Sequence, residues 1–350
     1  MAISQEDVLD ALRRVHDPQL NRDVVSLNMV QEVAIDGDSV SLTIILATPA
    51  SPARDAIAQD VTTALREAGA GSVTLNWGTR EPGSAPPEED KQIPGVKHIL
   101  AIASNKGGVG KTTVAVNLAV SLARGGASVG LIDADITGPN IPTMFGLTAG
   151  FQAESEQGLH PISRFGVKLV SIGFIVPREA PVVWRGPMIG TAVRQLIHDV
   201  QWGELDYLLI DLPPGTSDAP MSMAQEAPIA GAIIVTTPQQ VALEDAAKAV
   251  AMFEKLDVPI FGIVENMSYF ITPDTSQRVE IFGHGGGRAA AEQQGVDFLG
   301  EIPLATEVRE GGDSGQPISE GQPDSDVAQA FTEIGEKVAA KLSALGLLQV

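Results

Sequence analysis

Residues 104–113 read Ser-Asn-Lys-Gly-Gly-Val-Gly-Lys-Thr-Thr, and they directly follow the apolar run Ile99-Leu100-Ala101-Ile102-Ala103. A helical pattern then extends from Val114 to Arg124. Glycines allow successive backbone N–H groups to point at phosphate oxygens, and a helix N-terminus adds the positive end of its dipole. The order strand, glycine-rich loop, helix therefore predicts a phosphate-binding site at the edge of an α/β sheet.

The side chains of this loop indicate how a nucleoside triphosphate is held. We expect Lys111 to span the β- and γ-phosphates and the Thr112 hydroxyl to ligate Mg²⁺. The predicted nucleotide-binding set is Gly107, Gly108, Val109, Gly110, Lys111, Thr112 and Thr113. A glycine-rich turn that binds nothing is the alternative, but it explains neither the two lysines at fixed offsets nor the paired threonines.

The loop departs from the strict P-loop pattern at Asn105, which stands where the first glycine belongs. A second lysine, Lys106, gives the pattern K-G-G-x-G-K-S/T instead. This form resembles the deviant P-loop of ATPases that act as face-to-face dimers. The resemblance implies that Lys106 reaches the nucleotide of the partner subunit, as a catalytic residue beside Lys111.

Two further apolar runs end in acids. Asp133 and Asp135 follow Val129–Ile132, and their spacing of two places both carboxylates on the same side of an extended chain. Asp211 follows Tyr207–Ile210 and precedes a Pro-Pro-Gly loop. We expect Asp133 and Asp211 to hold Mg²⁺ and Asp135 to orient the attacking water. Taken alone, each acid is also compatible with an ordinary solvated strand terminus.

Composition divides the chain into two domains. Segment 79–96 contains a polar, acidic, proline-rich run with nothing to bury, which is typical of a linker. Residues 1–78 predict a small α/β domain, with helical patterns over Val8–Val15 and Arg54–Ala68 and strand patterns over Val40–Leu46 and Val73–Trp77.

Residues 97–350 alternate apolar runs with helical stretches. Such alternation predicts a mostly parallel sheet flanked by helices, as in a P-loop NTPase. The predicted strands are His98–Ala103, Val129–Ile132, Val167–Ile172, Tyr207–Ile210, Ala232–Val235, Ile260–Val264 and Phe298–Ile302. The pattern over Asp326–Leu345 predicts a last helix that docks on this sheet.

Composition also excludes several classes of function. The formal charge is −21, from 23 basic and 44 acidic residues, which disfavours non-specific binding to nucleic acid or to an anionic membrane. No cysteine is present, so disulfides, thiolate nucleophiles and Cys-ligated metal sites are excluded. Residues 1–10 lack the basic stretch of a signal peptide, and no apolar run approaches the ~18 residues of a membrane span. We expect a cytoplasmic protein.

The chain resembles the Mrp/ApbC family of deviant P-loop ATPases. The resemblance implies a homodimeric ATPase of slow turnover that uses ATP and Mg²⁺ and carries a 4Fe–4S cluster to apoproteins. It also implies that Asn266, Pro303 and Leu304 face the adenine, and that residues 1–78 are an iron–sulfur-assembly-type domain. Besides the loop, the matching segments are 133–139, Trp184–Met188, 211–216, 266–270, 282–286 and 312–315.

The sequence departs from this family where a cluster would be held. The family's C-x-x-C belongs at Thr272-Pro273-Asp274-Thr275, and the cysteine of its N-terminal domain belongs at Ser51. His284 stands alone in a glycine-rich loop, and we interpret it as shaping that loop. The leading hypothesis is a Mg²⁺-dependent dimeric ATPase for iron–sulfur-related delivery.

Two alternatives remain open. An ATP-dependent scaffold that holds a client protein without any cluster is favoured by the missing cysteines. A spatial regulator on membrane or DNA would need a basic surface, which the charge of −21 disfavours.

Overall fold

The computed structural model describes residues 5–16, 23–25, 29–46, 54–79, 93–136, 138–147, 154–155, 158–175, 192–216 and 218–348. The chain forms two compact units, residues 1–86 and 87–350. The division falls inside the predicted linker 79–96, of which residues 80–92 lie outside the described residues. Ser51, Thr137 and Trp184–Met188 also lie outside them.

The N-terminal unit has a three-stranded sheet. Its elements are α1 (Gln5–Leu12), β1 (Val30–Asp36), β2 (Ser39–Leu46), α2 (Arg54–Glu67) and β3 (Ser72–Thr79). In the order β1-β2-β3, the first pair is antiparallel and the second is parallel. The alternate residues Val40, Leu42 and Ile44 are fully or almost fully buried, as the period of a half-buried strand requires.

Strand β1 was not predicted from the sequence. Its register against β2 shifts between Gln31 and Ala34, and Glu32 between them has a left-handed φ of 50°. Because this bulge interrupts the period of two, the pattern of apolar residues does not alternate cleanly.

The second unit alternates strands and helices. Its first half contains β4 (Val96–Ala103), α3 (Lys111–Arg124), β5 (Val129–Asp133), α4 (Ile141–Met144), β6 (Glu154–Ser155), β7 (Gly158–Leu159), β8 (Ile162–Arg164), β9 (Val167–Ser171), α5 (Ile172–Ile175), a π-helical turn (Gln195–Asp199) and β10 (Leu205–Asp211). The remainder contains α6 (Asp218–Glu226), β11 (Ile229–Thr236), α7 (Gln240–Lys255), β12 (Ile260–Glu265), β13 (Phe270–Ile271), β14 (Arg278–Val279), α8 (Gly286–Gln294), β15 (Phe298–Glu301), α9 (Thr306–Ser314), α10 (Ile318–Gly321) and α11 (Asp326–Leu348).

Eight of these strands form one sheet in the order β15-β12-β11-β4-β10-β5-β9-β8. All neighbours are parallel except β8 and β9. The run Ile99–Ala103 lies at its centre, and its alternate residues enter two separate cores, one on each face. The predicted fold, a mostly parallel sheet flanked by helices, is confirmed.

The ends of the elements differ slightly from the sequence patterns. The predicted strand Val167–Ile172 stops at Ser171, because Ile172 already begins α5. Helix α11 packs on α3 and β15, and its described buried apolar side chains are Ala328, Phe331, Ile334, Val338 and Leu342. In the part of the chain that is described, no helix is both long enough and apolar enough to cross a membrane.

Candidate nucleotide site

The glycine-rich loop joins the central strand β4 to α3, which begins at Lys111. Gly108 and Gly110 have φ values of 81° and 82°, a region that residues with a Cβ rarely adopt. A Cβ at Gly110 would also overlap Nδ2 of Asn266. Glycine is therefore required at 110 both by the backbone turn and by the close approach of Asn266.

The side chains predicted to bind phosphate and metal meet at the carboxyl edge of the sheet. Lys111 Nζ lies 2.6 Å from Asp211 Oδ1 and 4.0 Å from Asp135 Oδ2. The Thr112 hydroxyl donates to Asp211 Oδ2 over 2.7 Å. Strand order explains this meeting, since β10 lies between β4 and β5 and all three strands end at the same edge.

Asp211 and Lys111 are both buried, with side chains 0% and 5% exposed. Burial raises the pKa of Asp211, while the Lys111 ammonium and the Thr112 hydroxyl favour its charged form. A buried carboxylate beside an ammonium and a hydroxyl makes a charged group at the carboxyl edge of the sheet. Such a group suits a ligand that carries both anionic and cationic groups.

Asp133 occupies a different environment from Asp135. Its Oδ2 accepts hydrogen bonds from the Ser171 hydroxyl (2.9 Å) and from Ile141 N (3.2 Å). Burial, followed by the charge of Asp211, raises the pKa of Asp133 to about 7. The sequence did not indicate these partners, because Ser171 ends the neighbouring strand β9.

The oxygen donors of this edge fit Mg²⁺. Carboxylate and hydroxyl oxygens are its preferred protein ligands, usually one or two per ion with water completing the shell. Thr112 and Asp211 already lie in contact, and Asp133 ends the adjacent strand β5. No group of three or more His, Cys, Asp or Glu side chains among the described residues forms a metal site of its own.

The amino end of the loop contacts α7. Asn105 Nδ2 donates to Asp245 Oδ1 over 3.2 Å, and Lys248 Nζ lies 2.9 Å from the same oxygen. The Lys248 hydrogen bond is the main cause of a lowered pKa for Asp245, and the charge of Lys106 contributes. The sequence analysis missed Asp245, although an acid near the start of the helix after β11 was a usable signal.

The predicted adenine contacts follow β12 and β15, which lie on the opposite side of β4 from Asp211. Asn266 is buried, and its Nδ2 donates to the Val109 carbonyl over 2.8 Å. Pro303 is buried beside half-buried Leu304, whose N–H donates to the Tyr269 carbonyl over 2.7 Å. These segments are close together because β12 and β15 are neighbours in the sheet.

Thr113 and the Pro-Pro-Gly loop, both singled out in the sequence, also lie around this site. Thr113 lies in the first turn of α3, where its carbonyl accepts from Asn117 Nδ2 over 2.9 Å. The Pro-Pro-Gly loop after Asp211 is tied to the start of the glycine-rich loop, because Gly215 N donates to the Ser104 carbonyl over 2.9 Å.

The positions of the family's C-x-x-C form an exposed turn between β13 and β14. The hydroxyl oxygens of Thr272 and Thr275 lie 2.6 Å apart, and Gln277 N donates to the Thr272 hydroxyl over 3.0 Å. Neutral hydroxyls do not replace the soft anionic sulfur that cluster iron requires. Nearby His284 Nδ1 lies 3.2 Å from Glu280 Oε1 in the same loop.

Comparison with known proteins identifies the family. Residues 95–339 match the family described as NUBPL iron-transfer P-loop NTPase, and this match spans more than half of the chain. The chain belongs to this family. Residues 5–77 match a second family, described as iron-sulfur cluster assembly protein. The predicted resemblance is confirmed, and membership in the NUBPL iron-transfer family makes the chain a P-loop NTPase, a class that binds and hydrolyses nucleotides.

Relatives named as iron–sulfur cluster carrier or transfer proteins cover most of the chain. An iron-sulfur cluster carrier protein of Synechocystis sp. is 47% identical over 352 residues, covering 99% of this chain and 100% of that protein. Another from Deinococcus radiodurans is 46% identical, covering 96% and 95%. The iron-sulfur cluster transfer protein NUBPL of Mus musculus is 44% identical over 256 residues, covering 73% and 80%.

Solved structures show the same fold for the larger unit. A nucleotide-binding protein from Archaeoglobus fulgidus in complex with ADP has a TM-score of 0.61 at 39% identity, covering 70% of this chain and 97% of that chain. The septum site-determining protein MinD of Pyrococcus horikoshii, complexed with Mg-ADP, has a TM-score of 0.54 at 27% identity, covering 69% and 95%.

Proposed function

We propose that this chain is a Mg²⁺-dependent ATPase that acts as a homodimer in iron–sulfur-related delivery, without a thiolate-bound cluster of its own. One observation carries the proposal: Lys111, Thr112, Asp135 and Asp211 converge at the end of a glycine-rich loop. Apolar side chains would pack at this position with a smaller desolvation cost than buried charged groups, so packing alone does not explain these residues.

The choice of ATP and Mg²⁺ is supported by the donors and by the relatives. Thr112, Asp133 and Asp211 would hold the ion, which supplies charge neutralisation on the phosphates. Solved relatives carry ADP in one case and Mg-ADP in another. Asn266, Pro303 and Leu304 would contact the adenine.

The chemistry falls to the chain's own side chains. Lys111 exchanges its contact with Asp211 for the β- and γ-phosphate oxygens, and the loop amides bind the remaining phosphate oxygens. Asp135 orients the water that attacks the γ-phosphorus. As that bond forms, the bond to the bridging oxygen of ADP breaks, and the released products are ADP, phosphate and a proton.

Lys106 makes the reaction depend on a dimer. It lies at the amino end of the loop and follows Asn105, whose amide donates to Asp245. We infer that it stabilises charge on the γ-phosphate of the partner subunit, as an arginine finger does. Turnover is slow because two subunits must meet before each site is complete.

The remaining organisation follows from the family. Residues 1–78 would act as an iron–sulfur-assembly-type domain, 79–96 as a linker and 97–350 as the ATPase domain of a cytoplasmic protein. The partner would be an apoprotein client, with no role for nucleic acid or membrane. Since the NUBPL and carrier relatives are named for iron–sulfur transfer, the client belongs to that chemistry.

A second function is favoured by the turn Thr272–Thr275. The Thr272 hydroxyl contacts the Thr275 hydroxyl and the backbone N–H and carbonyl of Gln277, so hydrogen bonds within the turn satisfy these hydroxyls. A scaffold that grips and releases a client through the same nucleotide cycle would need no cluster. Iron and sulfide analysis after anaerobic purification separates the two functions.

The test of the ATPase is phosphate release by the full chain. We expect hydrolysis of ATP with Mg²⁺, none with excess EDTA, and a rate per subunit that rises with protein concentration. Lys255→Ala, an exposed lysine at the end of α7, is the matched control for substitutions of Lys106 and Lys111. A chain that neither binds nor hydrolyses ATP would overturn the proposal.

A further inference from the structure

A fully buried carboxylate lies outside the nucleotide site, at the end of β12. Glu265 has no exposed surface, and among the described residues no cation forms an ion pair with it. Its Oε1 accepts a hydrogen bond from the Ser268 hydroxyl over 2.5 Å, and its Oε2 accepts one from Gly287 N. Two hydrogen bonds to one buried side chain therefore join two separate segments at this junction.

Ser268 and Gly287 flank a segment of residues 269–286, here called the excursion. It contains β13, β14 and the turn Thr272–Thr275, and the flanking residues at both of its ends bond to the same side chain, Glu265. Gly287 lies so close that a Cβ there would be 2.9 Å from Glu265 Cβ. Any side chain at 287 would therefore push Glu265 away, so this position requires glycine.

The excursion has no core of its own. Residues 273–281 are all exposed, and they include the apolar side chains Val279 and Ile281, 41% and 51% exposed. Its position on the body of the unit must therefore be set by its anchors.

Two of those anchors are deeply buried: the junction at Glu265 and the bond that Ser268 N donates to the Ile302 carbonyl over 2.9 Å. Besides Glu265, Leu304 N donates to the Tyr269 carbonyl, and Arg278 lies over the Tyr269 ring and 3.1 Å from Glu301. The Arg278 pair is partly exposed, so water screens it and it contributes little. The junction at Glu265 is the anchor that holds both ends at once.

The same junction adjoins the phosphate loop. The next residue, Asn266, donates from Nδ2 to the Val109 carbonyl over 2.8 Å, and Gly110 lies against the same amide. A change in the phosphate loop that moves Asn266 therefore acts on the residue next to Glu265. The contact of Val109 with Asn266 and the bonds of Glu265 thus connect the phosphate loop to both ends of the excursion.

We propose that Glu265 is a positioning residue that couples nucleotide binding at residues 107–113 to the placement of the Thr272–Thr275 turn. The coupling rests on the proposed function, since it requires ATP in that loop. By linkage it is reciprocal, so a partner that holds the turn must also alter the affinity for nucleotide.

The chain's lack of cysteine permits a direct test. Asp274→Cys in the full chain provides a unique thiol in the exposed turn, which is labelled with an environment-sensitive fluorescent maleimide. We expect saturating Mg·ATP to change the fluorescence of this labelled parent. Glu265→Met, which removes both bonds, should lose most of that change while ATP still binds.

Two further variants separate positioning from folding. Glu265→Gln should keep the response, because its amide oxygen accepts from Gly287 N and its NH₂ group donates to the Ser268 hydroxyl. Ser268→Ala removes one bond only and should weaken the response. Ser319→Ala is the control that should leave the response unchanged. It removes one buried hydroxyl of α10, which accepts a hydrogen bond from Ser121, and it leaves the excursion and its anchors untouched.

The possible results either support or overturn the coupling through Glu265. A full response in Glu265→Met at saturating ATP overturns the coupling, and so does a labelled parent that binds ATP without any response. A labelled parent that fails to bind ATP overturns the proposed function first and the coupling with it. Loss in Glu265→Met with retention in Glu265→Gln and Ser319→Ala supports the proposal.

Discussion

Lys111 Nζ lies 2.6 Å from Asp211 Oδ1, and both side chains are almost completely buried. The two residues come from the helix after β4 and the end of β10, 100 positions apart in sequence. Removing one partner of such a pair leaves a buried charge uncompensated, at a cost of about 3–5 kcal/mol. Phosphate oxygens and a divalent cation are the ligands that can replace both partners together.

Lys106→Ala should abolish most hydrolysis while ATP binding is largely retained. The lysine acts in trans on charge that develops in the transition state, and such a contact contributes roughly 10³-fold or more to the rate. Phosphate release and ATP titration on the same preparation measure the two effects, with Lys255→Ala as the control. If the wild-type rate per subunit stays constant on dilution to a demonstrated monomer, the role in trans is wrong.

Asp135→Ala should likewise lower hydrolysis more than binding. Its carboxylate lies 4.0 Å from Lys111, where it would orient the attacking water, and loss of such a positioned group costs roughly 10²-fold or more in rate. Single-turnover phosphate release with pre-bound ATP isolates this step. A variant that hydrolyses pre-bound ATP at the wild-type rate would show that Asp135 does not act on the water.

Gly110→Ala should destabilise the fold, whereas Gly107→Ala should not. Gly110 has a φ of 82°, which costs a residue with a Cβ roughly 1–2 kcal/mol, and the new methyl would also overlap the Asn266 amide. A Cβ at Gly107 meets nothing within 4 Å. Urea denaturation measures both variants, and equal midpoints would contradict the described loop.

The wild-type protein should not hold a dimer-bridging 4Fe–4S cluster after anaerobic reconstitution. The turn offers two neutral hydroxyls 2.6 Å apart, and the chain has no cysteine to replace them. Thr272→Cys combined with Thr275→Cys should restore binding, because the two positions already face each other. Stoichiometric iron and sulfide in the wild type would show that other ligands carry the cluster.

The sequence could predict the fold, and which side chains meet at the candidate site, because both depend on local pattern. Runs such as Ile99–Ala103 identify buried parallel strands, and acids at strand ends must share one edge of the sheet. Pattern does not show which neighbour donates to which acid. The bonds from Ser171 to Asp133 and from Asn105 to Asp245 depend on strand order, which is set by packing over the whole unit.

The strands of the excursion and the partners of Glu265 could not be predicted from the sequence either. Strands β13 and β14 have two residues each, too few for a period to be visible. Glu265 is the last residue of an apolar strand, so its sequence context resembles that of Asp211. Only the structure shows that it binds a serine and a helix N-terminus instead of a lysine.

Titration of Mg·ATP into the full chain, wild type and Lys111→Ala side by side, tests the central claim most directly. We expect saturable binding in the wild type, with one nucleotide per subunit. Lys111→Ala should lose at least roughly 100-fold in affinity, about 3 kcal/mol, with circular dichroism unchanged, and Lys255→Ala should bind as the wild type does. An unchanged titration in Lys111→Ala would contradict the assignment of residues 106–113 as the nucleotide site.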